Sequence, residues 1–199
     1  MVDAKLGVDI SQATNSSIWE CLRDSGYEFA IVRASRSNGL LDDNAPNSIK
    51  LAKAAGMSRV DAYIFPCVKC GNPAGQMKSM MKFLNDHGAN IRMVWLDIEG
   101  PEYWNKNVVD NRNFFLGLVR TGKQMGLMMG IYTSASQWNP IMGANFHGGS
   151  HLPLWYAHYD NRPSFYDFVE FGGWKQPYVK QYNTGVLCDI QVDENFRIK

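Results

Sequence analysis

Two carboxylates two residues apart, Asp97 and Glu99, close the apolar run Met93-Val94-Trp95-Leu96 and are cut off by Gly100-Pro101. In a strand, residues i and i+2 share a face, so both acids project together from the strand's C-terminal end. Acids held that close push their pKa values apart, one staying protonated as a general acid while the other stays ionised. Hydrolysis of a glycosidic bond needs that division of labour. The plainer alternative is that such acids cap the next helix or simply meet water.

Other polar residues end apolar runs in the same manner: Asp9 the first, Arg33 the second, Gln181-Tyr182 the seventh, with Asp193 just beyond the last. Taken singly, Asp9 could cap a turn with Ser11, Arg33 could pair with a neighbouring carboxylate, and Asp193 could cap the tail. Their repeated placement is the argument. The runs themselves recur at residues 6–10, 29–32, 62–65, 93–96, 128–132, 154–156, 179–182 and 186–192. Helical periodicity lies between the early ones, at 17–25, 48–55, 75–86 and 107–125, with a shorter piece at 136–142. Asn47 reads as an N-cap with Gly56 past that helix's end, and Gly126 stops the fourth helix. Strand–helix alternation predicts an α/β chain with a parallel sheet under helices. Beyond about residue 145 the helical signal fades into Gly148-Gly149, Pro153, Pro163, Gly172-Gly173 and Pro177. The expected architecture is a TIM-like β/α barrel of about eight strands, irregular and short of helices in its C-terminal part. In such barrels the site sits where strands end.

Large rings supply a second signal: Trp95, Trp104, Tyr132, Trp138, Trp155, Tyr156, Tyr159, Trp174 and Tyr182. Most buried aromatics are core, yet sugars present apolar C–H faces that stack on rings, so acids ringed by aromatics read as a carbohydrate cleft. Residues 154–161, with Trp155, Tyr156, His158 and Tyr159, form the expected wall.

The chain has 199 residues, a length suited to one domain spanning 1–199, and 20 Lys plus Arg against 19 Asp plus Glu. That balance leaves no basic field for nucleic acid. No apolar run approaches the roughly 20 residues that span a bilayer, and Met1-Val2-Asp3-Ala4-Lys5 is not a signal peptide. Four cysteines, Cys21, Cys67, Cys70 and Cys188, allow three pairings of two disulfides. Cys67-x-x-Cys70 could be a redox motif or half a zinc site, but Pro66 and Gly71-Asn72-Pro73 make its surroundings a loop, and a second zinc-ligand cluster is missing. A local Cys67–Cys70 bond, with Cys21–Cys188 joining the chain ends, is the favoured reading. Asn15-Ser16-Ser17 is a sequon compatible with secretion.

Seven segments, in order, resemble glycoside hydrolase family 25 lysozymes of the Chalaropsis type: Gly7-Val8-Asp9-Ile10-Ser11, Ile31-Val32-Arg33-Ala34, Ala62-Tyr63-Ile64-Phe65, Leu96-Asp97-Ile98-Glu99, Gly130-Ile131-Tyr132-Thr133-Ser134, Leu154-Trp155-Tyr156-Ala157-His158-Tyr159 and Lys180-Gln181-Tyr182. Phe65-Pro66-Cys67 through Cys70 and Phe171-Gly172-Gly173-Trp174 resemble the nematode and amoeba branch. The resemblance implies a muramidase acting on the glycan strands of bacterial peptidoglycan, with no cofactor or metal, no nucleic-acid or membrane partner, and a monomer that is secreted or lysosomal. Glu99 would be the general acid/base, with Asp97, Asp9 and Asp193 the accompanying carboxylates. Tyr63, Arg33, Trp155, Tyr159, Gln181 and Tyr182 would meet substrate. Val192-Asp193-Glu194-Asn195 departs from the family's Val-Asp-Leu-Asn pattern, and Asp189 competes with Asp193 as the last acid.

Glu99 would have its pKa raised by burial and by the Asp97 charge. Cα atoms two apart in a strand are about 6.6 Å apart, which fits either a protein nucleophile or an inverting pair. Substrate assistance, with the 2-acetamido group attacking and Asp97 orienting it, is preferred because the family's substrate carries that group. Three rivals stand beside this: a chitinase-like glycosidase, a silent carbohydrate-binding protein, and a metal-dependent barrel using Asp9, Asp97, Glu99 and Asp193.

Overall fold

Alternation along the strands decides which residues enter the barrel and which face the helices. In β1 (Ala4–Ile10), Val8 and Ile10 join the large apolar cluster shared with the helices, whereas a Cβ on Gly7 would strike the Phe29 ring at 2.5 Å. The computed structural model describes residues 4–198; Met1, Val2 and Asp3 of the segment read above as lacking a signal peptide lie outside it. β2 (Tyr27–Ser35), β3 (Arg59–Ile64), β4 (Val94–Asp97), β5 (Met129–Thr133), β6 (Leu154–Ala157), β7 (Val179–Leu187) and β8 (Ile190–Ile198) follow, and the eight close a barrel in chain order. Inside lie Phe29, Ile31, Met93, Trp95, Tyr132, Trp155 and Val179; outside, apolar side chains meet α1 (Ser16–Asp24), α2 (Ala45–Ala54), α3 (Pro73–Asp86), α4 (Val108–Gln124) and α5 (Ala135–Met142). Among the described residues no helix is long and apolar enough to cross a membrane.

β1 to β7 pair in parallel, but β8 runs antiparallel to both β7 and β1. The single run expected over 186–192 is instead two strands joined at Cys188-Asp189, both with positive φ (52° and 62°), the conformation of a tight hairpin turn. Antiparallel closure sets Asp193 opposite Asp9 at one end of the barrel and Ile198 opposite Ala4 at the other.

Two further expectations are corrected. Asn47 does not cap α2: the helix begins at Ala45 with Pro46 in its first turn, where no backbone N–H is required, leaving Asn47 inside. β3 begins three residues before the expected start because Arg59 and Asp61 are charged yet buried. Arg59 Nε donates to Asp61 Oδ2 (2.8 Å), Trp95 Nε1 donates to the same oxygen (3.0 Å), and Arg59 reaches the Tyr178 hydroxyl (2.7 Å). Charges enter an apolar interior only when paired in this way. Disulfides join Cys21 to Cys188, tying α1 to the hairpin tip, and Cys67 to Cys70.

Candidate active site

Asp9, Asp97, Glu99 and Asp193 converge on the end of the barrel where β1 and β4 finish and β8 begins. Asp97 is 3% exposed and Asp9 8% exposed, while Glu99 and Asp193 are half-buried. Glu99 stands just beyond β4 on a pinned backbone. The Thr133 hydroxyl donates to the Ile98 carbonyl (2.7 Å), Trp104 Nε1 to the Glu99 carbonyl (3.0 Å), and the Gly100 amide to Gln137 Oε1 (2.8 Å). Gly100 itself takes φ 64°, and a Cβ there would meet the Tyr103 ring at 2.4 Å, so the turn requires glycine.

Two amide side chains organise the acids. Gln181 Nε2 donates to Asp9 Oδ2 (2.8 Å) and Asp193 Oδ2 (3.3 Å), and its Oε1 accepts from Tyr132 (2.7 Å) and Tyr159 (2.6 Å). Asn195 donates to Asp9 Oδ2 (2.7 Å) while accepting from Trp155 Nε1 (2.7 Å). Asp97 Oδ1 is buried without a hydrogen-bond partner among the described residues. An oxygen so placed is costly unless something supplies a donor.

Burial raises all four pKa values. Burial, then the charges of Glu99 and Asp9, hold Asp97 well above the carboxylate range, with Arg33 opposing. Burial and the Asp193 charge do the same for Asp9 against the bonds from Asn195 and Gln181. Burial lifts Asp193, with a bond from Thr184 opposing. Glu99 is raised by burial and then by the charges of Asp193 and Glu102, and its own charge acts in turn on Asp97.

The expected site residues separate into three groups. Tyr63 is half-buried beside the acids, and the charges of Asp9 and Asp97 join burial in keeping it a neutral phenol. Tyr159 and Gln181 belong to the network above. Arg33 is held in place, with Nε donating to Asp42 (2.8 Å) and Nη2 to the Ser11 carbonyl (2.8 Å), and its field acts on Asp97. Trp155, 2% exposed, lies in the barrel interior against Tyr63 and Tyr132, and Tyr182 turns outward to donate to Glu194 (2.9 Å). Both are buried: alternation sends Tyr182 to the outer face, and Tyr63, Trp95 and Tyr132 pack on Trp155. The departure Glu194 is likewise outward, accepting from Tyr27 (2.6 Å) and Asn183 (2.7 Å) as well. Asp189 sits exposed at the hairpin turn, four residues from Asp193.

Asn195 is a site residue that sequence reasoning passed over, and Tyr132 figures there as one of the large rings. Period-two spacing from Asp193 and from Gly130 was the signal that could have found them.

A cleft of about 310 Å³ opens over Glu99, lined by Tyr132, Ser134, Ser136, Gln137, His158 and Tyr159. A larger depression, about 660 Å³, lies between the β2–α2 and β3–α3 connections, but none of the four acids lines it. Among the described residues, the His/Asp group with ligand atoms within 4.8 Å of one another is His158, Asp160 and Asp167. Its cation position is filled by the fully buried Lys180, whose Nζ lies 2.8 Å from Asp160 and 2.6 Å from Asp167.

A family model described as Lysozyme-like protein 1 matches residues 2–182. The chain is 51% identical over 197 residues to Probable GH family 25 lysozyme 2 of Dictyostelium discoideum, covering 98% of this chain and 92% of that one. It is 36% identical to Lysozyme-like protein 5 of Caenorhabditis elegans, over 97% and 91% of the two chains. Among solved structures, the family GH25 lysozyme from Aspergillus fumigatus superposes with TM-score 0.80 at 22% identity, over 98% of this chain and 93% of that one.

Proposed function

The chain belongs to the glycoside hydrolase family 25 lysozymes, and from that premise we propose how its residues cut the β-1,4 bond between N-acetylmuramic acid and N-acetylglucosamine in peptidoglycan. Glu99, its pKa raised by burial and by neighbouring negative charge, gives its proton to the glycosidic oxygen as the bond to C1 of muramic acid breaks. The oxygen of the same sugar's 2-acetamido group closes on C1, and Asp97 Oδ1 accepts the acetamido N–H. Glu99, now a carboxylate, takes a proton from water as the water oxygen attacks C1 and reopens the ring. Asp9 and Asp193, fixed by Gln181 and Asn195, set carboxyl oxygens beside the sugar that becomes cationic. Tyr63 and Tyr159 border that sugar.

The observation that carries this reading is the partnerless, buried Asp97 Oδ1, two residues before an acid that lines an open cleft. The test is clearing of a cell-wall suspension by wild type and Glu99→Gln, with mass spectra of the digest before and after borohydride. Losing the general acid costs about 10²–10⁴-fold in rate, and the product carries a reducible muramic acid end. Clearing by Glu99→Gln at the wild-type rate, or a reducible glucosamine end, refutes it.

The reading extends to residues 1–199 as one catalytic domain, working as a monomer in a secreted or lysosomal compartment against bacteria. Two disulfides support an oxidising compartment.

A further inference from the structure

The cleft over Glu99 does not end at His158. A second depression of about 250 Å³ shares Ser134, Ser136, Ala157 and His158 with it and continues over Phe168, Val169 and Phe171. The two differ in chemistry. The inner cleft is bordered by hydroxyls, an amide and the acid, whereas the outer one has an apolar floor on which Val169 is 79% exposed.

The shared wall is held rigidly. His158 Nδ1 lies 2.6 Å from Asp167 Oδ2, Tyr156 donates to Asp167 (2.9 Å), and Lys180 Nζ bridges Asp167 and Asp160. The His158 amide also donates to the Gln181 carbonyl (2.9 Å), joining the wall to the strand that carries the site's central amide.

The geometry points to the outer depression as the seat of the peptide branch that muramic acid carries on O3 through its lactyl ether. This rests on the muramidase reading. With C1 of that sugar at Glu99, O3 is no more than one ring's width away, so the branch starts beside the catalytic cleft. Lactyl and alanyl methyls match the apolar floor, and peptide amides match the Ser134, Ser136 and His158 ridge. His158 acts as a positioning residue, set by Asp167, at the point where the branch leaves the sugar.

The test compares soluble, uncrosslinked peptidoglycan strands with the same strands stripped of peptide by an amidase, read as kcat/KM for reducing-end release. Wild type is expected to favour peptide-bearing strands by about tenfold, the scale of partly burying one apolar side chain against a ligand. Val169→Asp, altering an exposed position that no core packing needs, is expected to bring the ratio near one through KM. His158→Ala is expected to lower the ratio, and His158→Gln, which keeps a polar side chain there, to restore part of it. Equal kcat/KM for both substrates in wild type overturns the assignment, as does a ratio that survives Val169→Asp. Release from neither substrate overturns the muramidase reading itself, a separate outcome.

Discussion

Replacing Gln181 by Leu tests how the acids are held in place. The change nearly conserves volume, so the cavity contribution is small and the loss is one of hydrogen bonds. Asp9 loses a 2.8 Å donor and Asp193 a 3.3 Å one, while the Tyr132 and Tyr159 hydroxyls lose their acceptor. A bond to a charged group contributes about 1.5–3 kcal/mol, and a buried hydroxyl left unpaired costs about 1–3 kcal/mol. Tyr159 is exposed and turns to water, the Asp193 bond is long, and Asn195 still serves Asp9. The expected destabilisation at pH 7.5 is about 3–5 kcal/mol. The effect has a sign in pH. Asp9 and Asp193 have raised folded pKa values, so the stability linked to them is present below the unfolded value and lost as pH rises through the folded one. Removing a donor to Asp9 raises its folded value further, so the loss grows with pH. Urea unfolding at pH 5 and pH 7.5, with m unchanged, reads both quantities. A destabilisation below about 1 kcal/mol, or one equal at the two pH values, refutes the reasoning. Wall clearing is expected to fall about 10–100-fold, since the acids lose register with C1.

Activity is expected to be greatest at acid pH and to decline as pH rises through the raised Glu99 value, because only its protonated form serves as acid. A rate climbing from pH 5 to pH 8 contradicts this. Thermal stability is expected to peak in mildly acid solution. The four raised site carboxylates lose their contribution as pH rises, whereas Asp42 and Asp167, held low by Arg36 and Arg33 and by Lys180 and His158 against burial, lose theirs as pH falls below the usual carboxylate range. Calorimetry from pH 3 to pH 8 reads the peak, and a midpoint rising steadily to pH 8 opposes it. Cys21→Ser with Cys188→Ser opens a link of sequence separation 167 and is expected to cost about 5 kcal/mol by chain entropy. That corresponds to about 10–20 °C in Tm, and a shift under about 3 °C rejects the estimate. Glu194→Leu, which restores the family residue, strands the Tyr27, Tyr182 and Asn183 donors and is expected to cost about 1–3 kcal/mol while clearing stays within about twofold, since Glu194 faces away from the cleft.

Where strands present an apolar inner face, as β2, β4 and β6 do with Ile31, Trp95 and Trp155, their hydrophobic runs mark them plainly. Where the inner face is polar, the signal fails. β8 turns Asp193 and Asn195 inward and was legible only as a motif, and the first half of β3 hides an ion pair. The antiparallel return of β8 was equally hidden, because two positive-φ residues inside a continuous run leave no Gly or Pro to announce the turn. Glu99, Asp97 and Asp9 could be gathered from strand ends alone, whereas Asp193 lies inside β8 and needed the motif. Arg33, Trp155 and Tyr182 could not be placed that way: a strand end gives a residue's height in the barrel, not what its side chain has already been paired with.

Antiparallel closure also governs what can be attached to this enzyme. Because Ala4 pairs with Ile198 at the end remote from Asp9 and Asp193, the outer ends of the first and last strands lie side by side at the barrel's base. A tether to a wall-anchoring module, or a fusion tag, can therefore be added on either side while an approaching polymer still has a clear path in.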